Sequence, residues 1–261
     1  MWQMLRRIPA VVKLEFRPRL LLGGLGRAAV LGLLPVFLVW SMQQVADFRD
    51  SADFQEAILL FILMPGLLCI LCQLFWASPI VQAGMEENIW SVVGVRPYGK
   101  TAFLLGKYLM AVCWTIVAGW GSSLLCAWII PFPNWRQTVA VFAALVALSA
   151  FAYGAIFLFL GALFIRRGMV AAVAYVVFIE ALTGTLPALI HHLTVQYHLR
   201  SLLFQWVDLP RRDSIQMAVR WLQEEIPWWA HLAALAIYTV VMLTLAVIVV
   251  NRKELVKPEE N

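Results

Sequence analysis

The sequence predicts an all-α integral membrane protein: six transmembrane helices, an amphipathic N-terminal interfacial helix, and short outer helices between spans 5 and 6. Three observations predict it. Hydrophobic residues make up 62% of the 261 residues and charged ones only 13%, far from the balance of a soluble domain. The apolar residues gather into runs near or above the roughly 20 that a helix needs to cross hydrocarbon. Those runs lack the period-2 alternation of a barrel strand, and helices and closed barrels alone satisfy their backbone in lipid. The chain 1–261 therefore reads as a single transmembrane domain, with no room for a soluble catalytic domain.

The elements follow in order. Residues 1–27 set Trp2, Leu5, Ile8 and Val12 against Arg6, Arg7 and Lys13, the pattern of a helix lying on the inner leaflet with its cations near anionic head groups. Pro9 and Pro18 limit its length. Span 1 is expected over Ala28–Ala46 and span 2 over Ala57–Val81, joined by a short acidic outer loop, Asp47–Glu56. Pro35 and Met64-Pro65-Gly66 predict kinks in their helices, each leaving a carbonyl without its usual partner. An inner loop, 82–102, leads to span 3 at Phe103–Ile130, then span 4 at Val139–Ile165 and span 5 at Met169–Ile190. An outer interfacial segment, 191–227, precedes span 6 at Trp228–Val250 and an inner tail, 251–261. Within that segment Leu199, Leu202, Leu203 and Trp206 suggest one short apolar-faced helix, and Asp213-Ser214 caps a second running to Ile226. Both are expected to lie on or dip into the outer membrane surface, as a gate or as a plain cap. Trp40, Trp128, Trp135, Trp228 and Trp229 fall at the outer interface and Trp76 and Trp90 at the inner one, where Trp gathers.

Charge sets the orientation. With both termini inside, the inner segments hold fourteen of the twenty Lys and Arg, among them Arg96, Lys100, Lys107, Arg166, Arg167 and Lys253. The outer ones hold six: Arg49, Arg136, Arg200, Arg211, Arg212 and Arg220. The positive-inside rule then predicts a multi-pass protein of the plasma (inner) membrane with both termini cytoplasmic. The net charge of +5 is a topology signal. The cations form no single surface for nucleic acid. The first apolar run starts well into the chain and has no small-residue cleavage site, so no cleaved signal peptide is expected.

Gly94–Thr101 reads GVRPYGKT and matches the phosphate-loop pattern letter for letter. The pattern works only on a strand–loop–helix stage carried by a parallel sheet. Ile89–Val93 passes as a strand in isolation, yet nothing else supplies a sheet. Pro97 stands where the loop needs a backbone donor. The motif is therefore read as an inner loop, and no nucleotide is expected on this chain.

Other chemistry is sparse. Cys69 and Cys72 form a C-x-x-C inside span 2, and Cys113 and Cys126 lie within span 3, all read as apolar packing. His191, His192 and His198 cluster near the outer end of span 5 without companion carboxylates or thiols, so no metal centre is expected. Glu180 is the one acid deep in a span. A bare carboxylate there is costly, so it should be protonated, paired or facing water, lining a pathway or bonding to a neighbouring helix. Thr183 shares its face.

The inner loop carries a longer pattern. The pair Glu86-Glu87 precedes an apolar stretch, then Pro97, then Gly106-Lys107 at the start of span 3. This resembles the membrane (permease) subunits of type-2 ATP-binding-cassette (ABC) exporters. The likeness in layout covers the chain; the likeness in residues is confined to 86–107. Where that family usually has Gly after the acidic pair, this chain has Asn88. The resemblance implies a transport subunit that forms a translocation pathway as a homo- or heterodimer of membrane subunits. It carries no catalytic residues of its own. A loop helix docks on a separate ABC ATPase that holds the ATP and Mg. The docking face would be Glu86, Glu87, Asn88, Ile89, Trp90 and Val93, and Glu180 would lie near the pathway. An intramembrane enzyme needs paired ionisable groups, and Glu180 stands alone among the spans. A membrane scaffold or immunity-type protein binding a ligand at the outer surface is the alternative.

Overall fold

The computed structural model describes residues 18–44, 53–95, 98–130, 134–181, 194–207 and 226–253. These are almost wholly helical, and no strand occurs among them. In chain order the helices are α1 (Pro18–Gln43), α2 (Asp53–Phe61), α3 (Cys69–Trp76), α4 (Ile80–Glu86), α5 (Ile89–Gly94), α6 (Gly99–Ile129), α7 (Trp135–Leu163), α8 (Gly168–Tyr175), α9 (Val195–Trp206) and α10 (Trp228–Arg252). Two π-helical stretches, Ile62–Leu68 and Val176–Ala181, join α2 to α3 and extend α8.

Five helical stretches are long and apolar enough to cross a membrane: Gly23–Gln43, Ala57–Glu86, Gly99–Ile129, Trp135–Leu163 and Trp228–Arg252. They coincide with five of the six expected spans. The remaining one, expected at Met169–Ile190, begins as a shorter apolar helix, Gly168–Glu180, and its outer half lies outside the described residues. So do residues 1–17 of the expected interfacial helix, most of the Asp47–Glu56 loop, and the second outer helix from Asp213.

Span 2 is built in pieces, and Pro65 explains the first break. Proline has no N–H to give the carbonyl four residues back. The helix widens, so that the Cys69 N–H reaches the Met64 carbonyl five residues back. The Ser149 hydroxyl donates to the Pro65 carbonyl at 2.6 Å, which ties this break to α7. A second break is the turn over residues 77–79, ahead of α4. Single π turns inside α-helices mark such insertions and often accompany function.

α7 is the central post. Its most apolar stretch is 72% buried, against 22% for that of α1 and 17% for that of α10. Leu145, Tyr153, Ile156, Phe157 and Leu158 are fully buried on it. α3, α6, α8, α9 and α10 all pack on α7. Small residues set the close approaches, as between helices in lipid, where packing replaces the hydrophobic drive. A Cβ on Gly161 would run into the Ser78 carbonyl, so only glycine lets α7 pass the turn below α3. On the other side, the Ser122 hydroxyl of α6 donates to the Gly32 carbonyl of α1 at 2.6 Å.

Lysines close the helix ends on one face. Lys253 Nζ donates to the Ala162 and Leu163 carbonyls at 3.0 and 2.7 Å, satisfying the last carbonyls of α7. Lys100 Nζ in turn donates to the Lys253 carbonyl at 3.3 Å, at the end of α10. Cations suit helix C-termini, where orphan carbonyls concentrate partial negative charge. The starts of α6 and α8 share this face with the ends of α4, α7 and α10. α9 ends on the opposite face, where Gln137 of α7 donates to the Trp206 carbonyl and Gln205 to the Ile226 carbonyl.

Candidate functional site

The loop between spans 2 and 3 is a helical hairpin. α4 ends at Glu86, and Asn88 takes a left-handed conformation with φ 54°, which turns the chain into α5. Asn tolerates that region nearly as Gly does. The position that differs from the resembled family is thus one where either residue satisfies the backbone, and the loop helix starts at Ile89. Helical Ile89–Val93 removes the strand that a phosphate loop would require. Gly94 ends α5 and Gly99 starts α6, packed against the Val93 carbonyl. Lys100 is engaged at the end of α10 rather than facing an open cradle.

Trp90 locks this hairpin to the bundle. It is 3% exposed. Its indole N–H donates to the Val81 carbonyl at 3.0 Å, and its ring meets Phe103 edge-on with centroids 5.2 Å apart. The floor beneath it is Gly84, where a Cβ would lie 2.6 Å from the indole nitrogen. The sequence places Trp90 on a docking face and at the lipid interface; the structure turns it inward, because the indole finds both an apolar pocket and an acceptor there. What remains outward is Glu86, Glu87 and Asn88, all exposed, with Val95 85% exposed and Ile89 and Val93 half-buried. Gln82, one turn back on α4, donates to the Glu86 carboxylate at 2.9 Å. Gly106 is buried on α6, and half-buried Lys107 sets its ammonium 5.9 Å from the Phe103 ring centre. Pro97 lies outside the described residues.

Glu180 sits in the π-helical turn beyond α8. The Tyr175 hydroxyl donates to its Oε1 at 3.3 Å. The Tyr153 hydroxyl of α7 and the first backbone amides of α9, at Val195 and Gln196, also face the carboxyl, while Tyr238 of α10 adjoins Tyr175. Oε2 of Glu180 and the Tyr153 hydroxyl are both buried, an acceptor and a donor in the same cluster. The acid therefore joins four elements. Thr194 caps α9 by accepting from the Tyr197 amide at 3.3 Å, so Glu180 and Thr194 together cover the N-terminus of that helix. A carboxyl suits that end of the dipole. Thr183 lies outside the described residues.

α9 takes the second of the two expected placements among the described residues. Leu199, Leu202 and Leu203 are fully buried, packed on α7 and α10. Its first turn approaches span 2, where Gln196 nears Gly66. The helix packs into the bundle, because its apolar face finds α7 and α10 and its N-terminus finds an acid.

Sequence reasoning passed over the neutral polar groups of the interior. Gln73, fully buried in α3, donates to Thr115 and to the Ala150 carbonyl, both at 3.1 Å, which ties span 2 to α6 and α7. A lone Gln within an apolar run was the available signal. His198 faces a residue outside its expected cluster: its Nδ1 lies 3.0 Å from Nδ1 of buried His231 on α10. His191 and His192 lie outside the described residues. Among those described, no three His, Cys, Asp or Glu gather as a metal site. Cys69, Cys72 and Cys126 are buried free thiols and Cys113 is exposed. Compared with known proteins, the chain matches no family model and no curated protein.

Proposed function

We propose that this chain is the transmembrane subunit of an ATP-driven ABC exporter in the plasma (inner) membrane, with six spans and both termini cytoplasmic. In this reading it works as a dimer of membrane subunits and is driven by a separate ATPase that binds ATP and Mg. The observation that carries the reading is the hairpin of α4 and α5. A surface loop that merely connects two spans has no need of a buried tryptophan. Here a six-residue helix is pinned to the bundle by Trp90 while an acidic edge, Glu86 and Glu87, faces outward beside the apolar Val95. A rigid mount with a mixed polar and apolar outer face suits a protein contact.

The roles divide accordingly. Glu86, Glu87, Asn88, Ile89 and Val93 form the docking side; Trp90 holds it in place from behind. Gly106 and Lys107, at the start of the next span, complete the resembled pattern. Glu180 positions α9 against α7, α8 and α10 and so governs the outer half of any pathway.

The test is a photo-crosslinking side chain at Glu87, introduced in native membranes. Capture of a soluble nucleotide-binding protein is the expected result. Tight ATP binding by the purified chain alone would overturn the reading.

A further inference from the structure

A cavity lies at the loop end of the bundle, between α1, α4 and α6. It holds about 250 Å³, and Arg27, Lys107 and Glu87 line it together with the rings of Trp76 and Trp114. Through Arg27, Phe75 and Trp76 it adjoins a second space of about 340 Å³ along α1, walled by Gly26, Val30 and Leu31. The first space mixes two cations and one acid; the second is apolar except for Arg27. Gly24 lets α1 approach Trp114 of α6 at the wall of the first space, since a Cβ there would lie 2.5 Å from the indole.

The charges are layered. Glu87 follows the last residue of α4 beside the loop, whereas Lys107 lies eight residues into α6 and Arg27 nine residues into α1. At 1.5 Å per residue those cations stand roughly 12 Å along their helices. Long cationic side chains at that depth serve the head-group boundary. A glycerophospholipid with a primary amine repeats this order, with acyl chain, then phosphate, then ammonium toward water. Basic pockets between spans on this side of a bilayer recognise lipid head groups.

We propose that this paired cavity is a binding site for an aminophospholipid, with phosphate on Arg27 and Lys107, ammonium on Glu87 and an acyl chain along Val30 and Leu31. The site goes beyond the transport reading and does not rest on it. Free phosphate leaves Glu87 and the apolar groove unused. A choline head group offers no N–H to Glu87. A glycerol head group offers no cation.

The full chain, purified and embedded in phosphatidylcholine nanodiscs, is titrated with phosphatidylethanolamine bearing brominated acyl chains, which quench nearby tryptophans. Quenching is expected at a lower lipid fraction than with brominated phosphatidylcholine or phosphatidylglycerol. Each cation removed should weaken binding about fivefold, so Arg27→Gln with Lys107→Gln should weaken it about 25-fold. Glu87→Gln should bring the ethanolamine lipid down to the choline level, and Leu31→Phe, which narrows the groove without adding a fluorescent indole, should abolish the added quenching. Those last two decide the matter if the double variant fails to fold, as judged by its helical circular dichroism. Equal quenching by all three lipids, a preference for phosphatidylglycerol, or displacement by inorganic phosphate would each overturn the proposal.

Discussion

At the scale of single residues, Trp90 decides whether the loop is a part or merely a connection. Replacing a buried large side chain by Ala costs on the order of 3–5 kcal/mol, and here that loss falls on one small hairpin. Trp90→Ala should leave the bundle helical while chymotrypsin gains access after Tyr98, read by cleavage rate. Gly84→Val should give the same phenotype from beneath, because its side chain would occupy the space of the indole nitrogen. Glu180→Gln preserves shape and should impair transport while the purified protein stays monodisperse; unchanged transport in vesicles would remove Glu180 from the mechanism. Glu180→Leu strips the partner of Tyr175 and the cover of the first amides of α9. Leaving such groups buried and unpaired costs roughly 1–3 kcal/mol, so thermal unfolding in detergent should come earlier.

At the scale of elements, the apolar runs were legible because lipid imposes one length and one composition on every span. Five coincide with long helices in the structure to within a few residues. What the run of residues did not carry is direction. Whether Trp90 points out or in depends on Phe103 and Gly84, neither within five residues of it. The same holds for Glu180, whose neighbours Tyr153, Val195 and Tyr238 come from three other helices. α9 shows the limit most plainly: its amphipathic pattern predicts a helix, but the same pattern fits a surface and a crevice equally. Lys253 shows another kind of hidden role, since a lysine after a span reads as a topology mark and also closes the end of α7. Lys253→Met should cost about 1 kcal/mol for each hydrogen bond lost, seen as a lower unfolding temperature with helix content unchanged.

At the scale of the whole molecule, the interior is stitched by polar threads rather than charges. Gln73, Ser149, Ser122 and Tyr108 each bond across helices, and such bonds also specify which helix lies beside which in a lipid medium. Within GVRPYGKT, Lys100 is engaged at the end of α10. Isothermal titration of the purified chain should therefore show no ATP binding, and Lys100→Ala should leave the nucleotide affinity of any assembly unchanged while loosening the end of α10.

The hairpin rests on two very different supports. α4 belongs to span 2, which is jointed twice, at the turn over 77–79 and again at the π-helical stretch around Pro65. α6 is a single unbroken helix of 31 residues, about 46 Å of continuous rod. A load placed on Glu86 and Glu87 is thus divided between a hinged arm and a stiff strut. The strut delivers displacement to the far face almost undiminished, while the arm absorbs it by folding at its joints. Pressing on this one loop would shear span 2 against α6, and the Gln73–Thr115 bond lies across the plane where that shear would be felt.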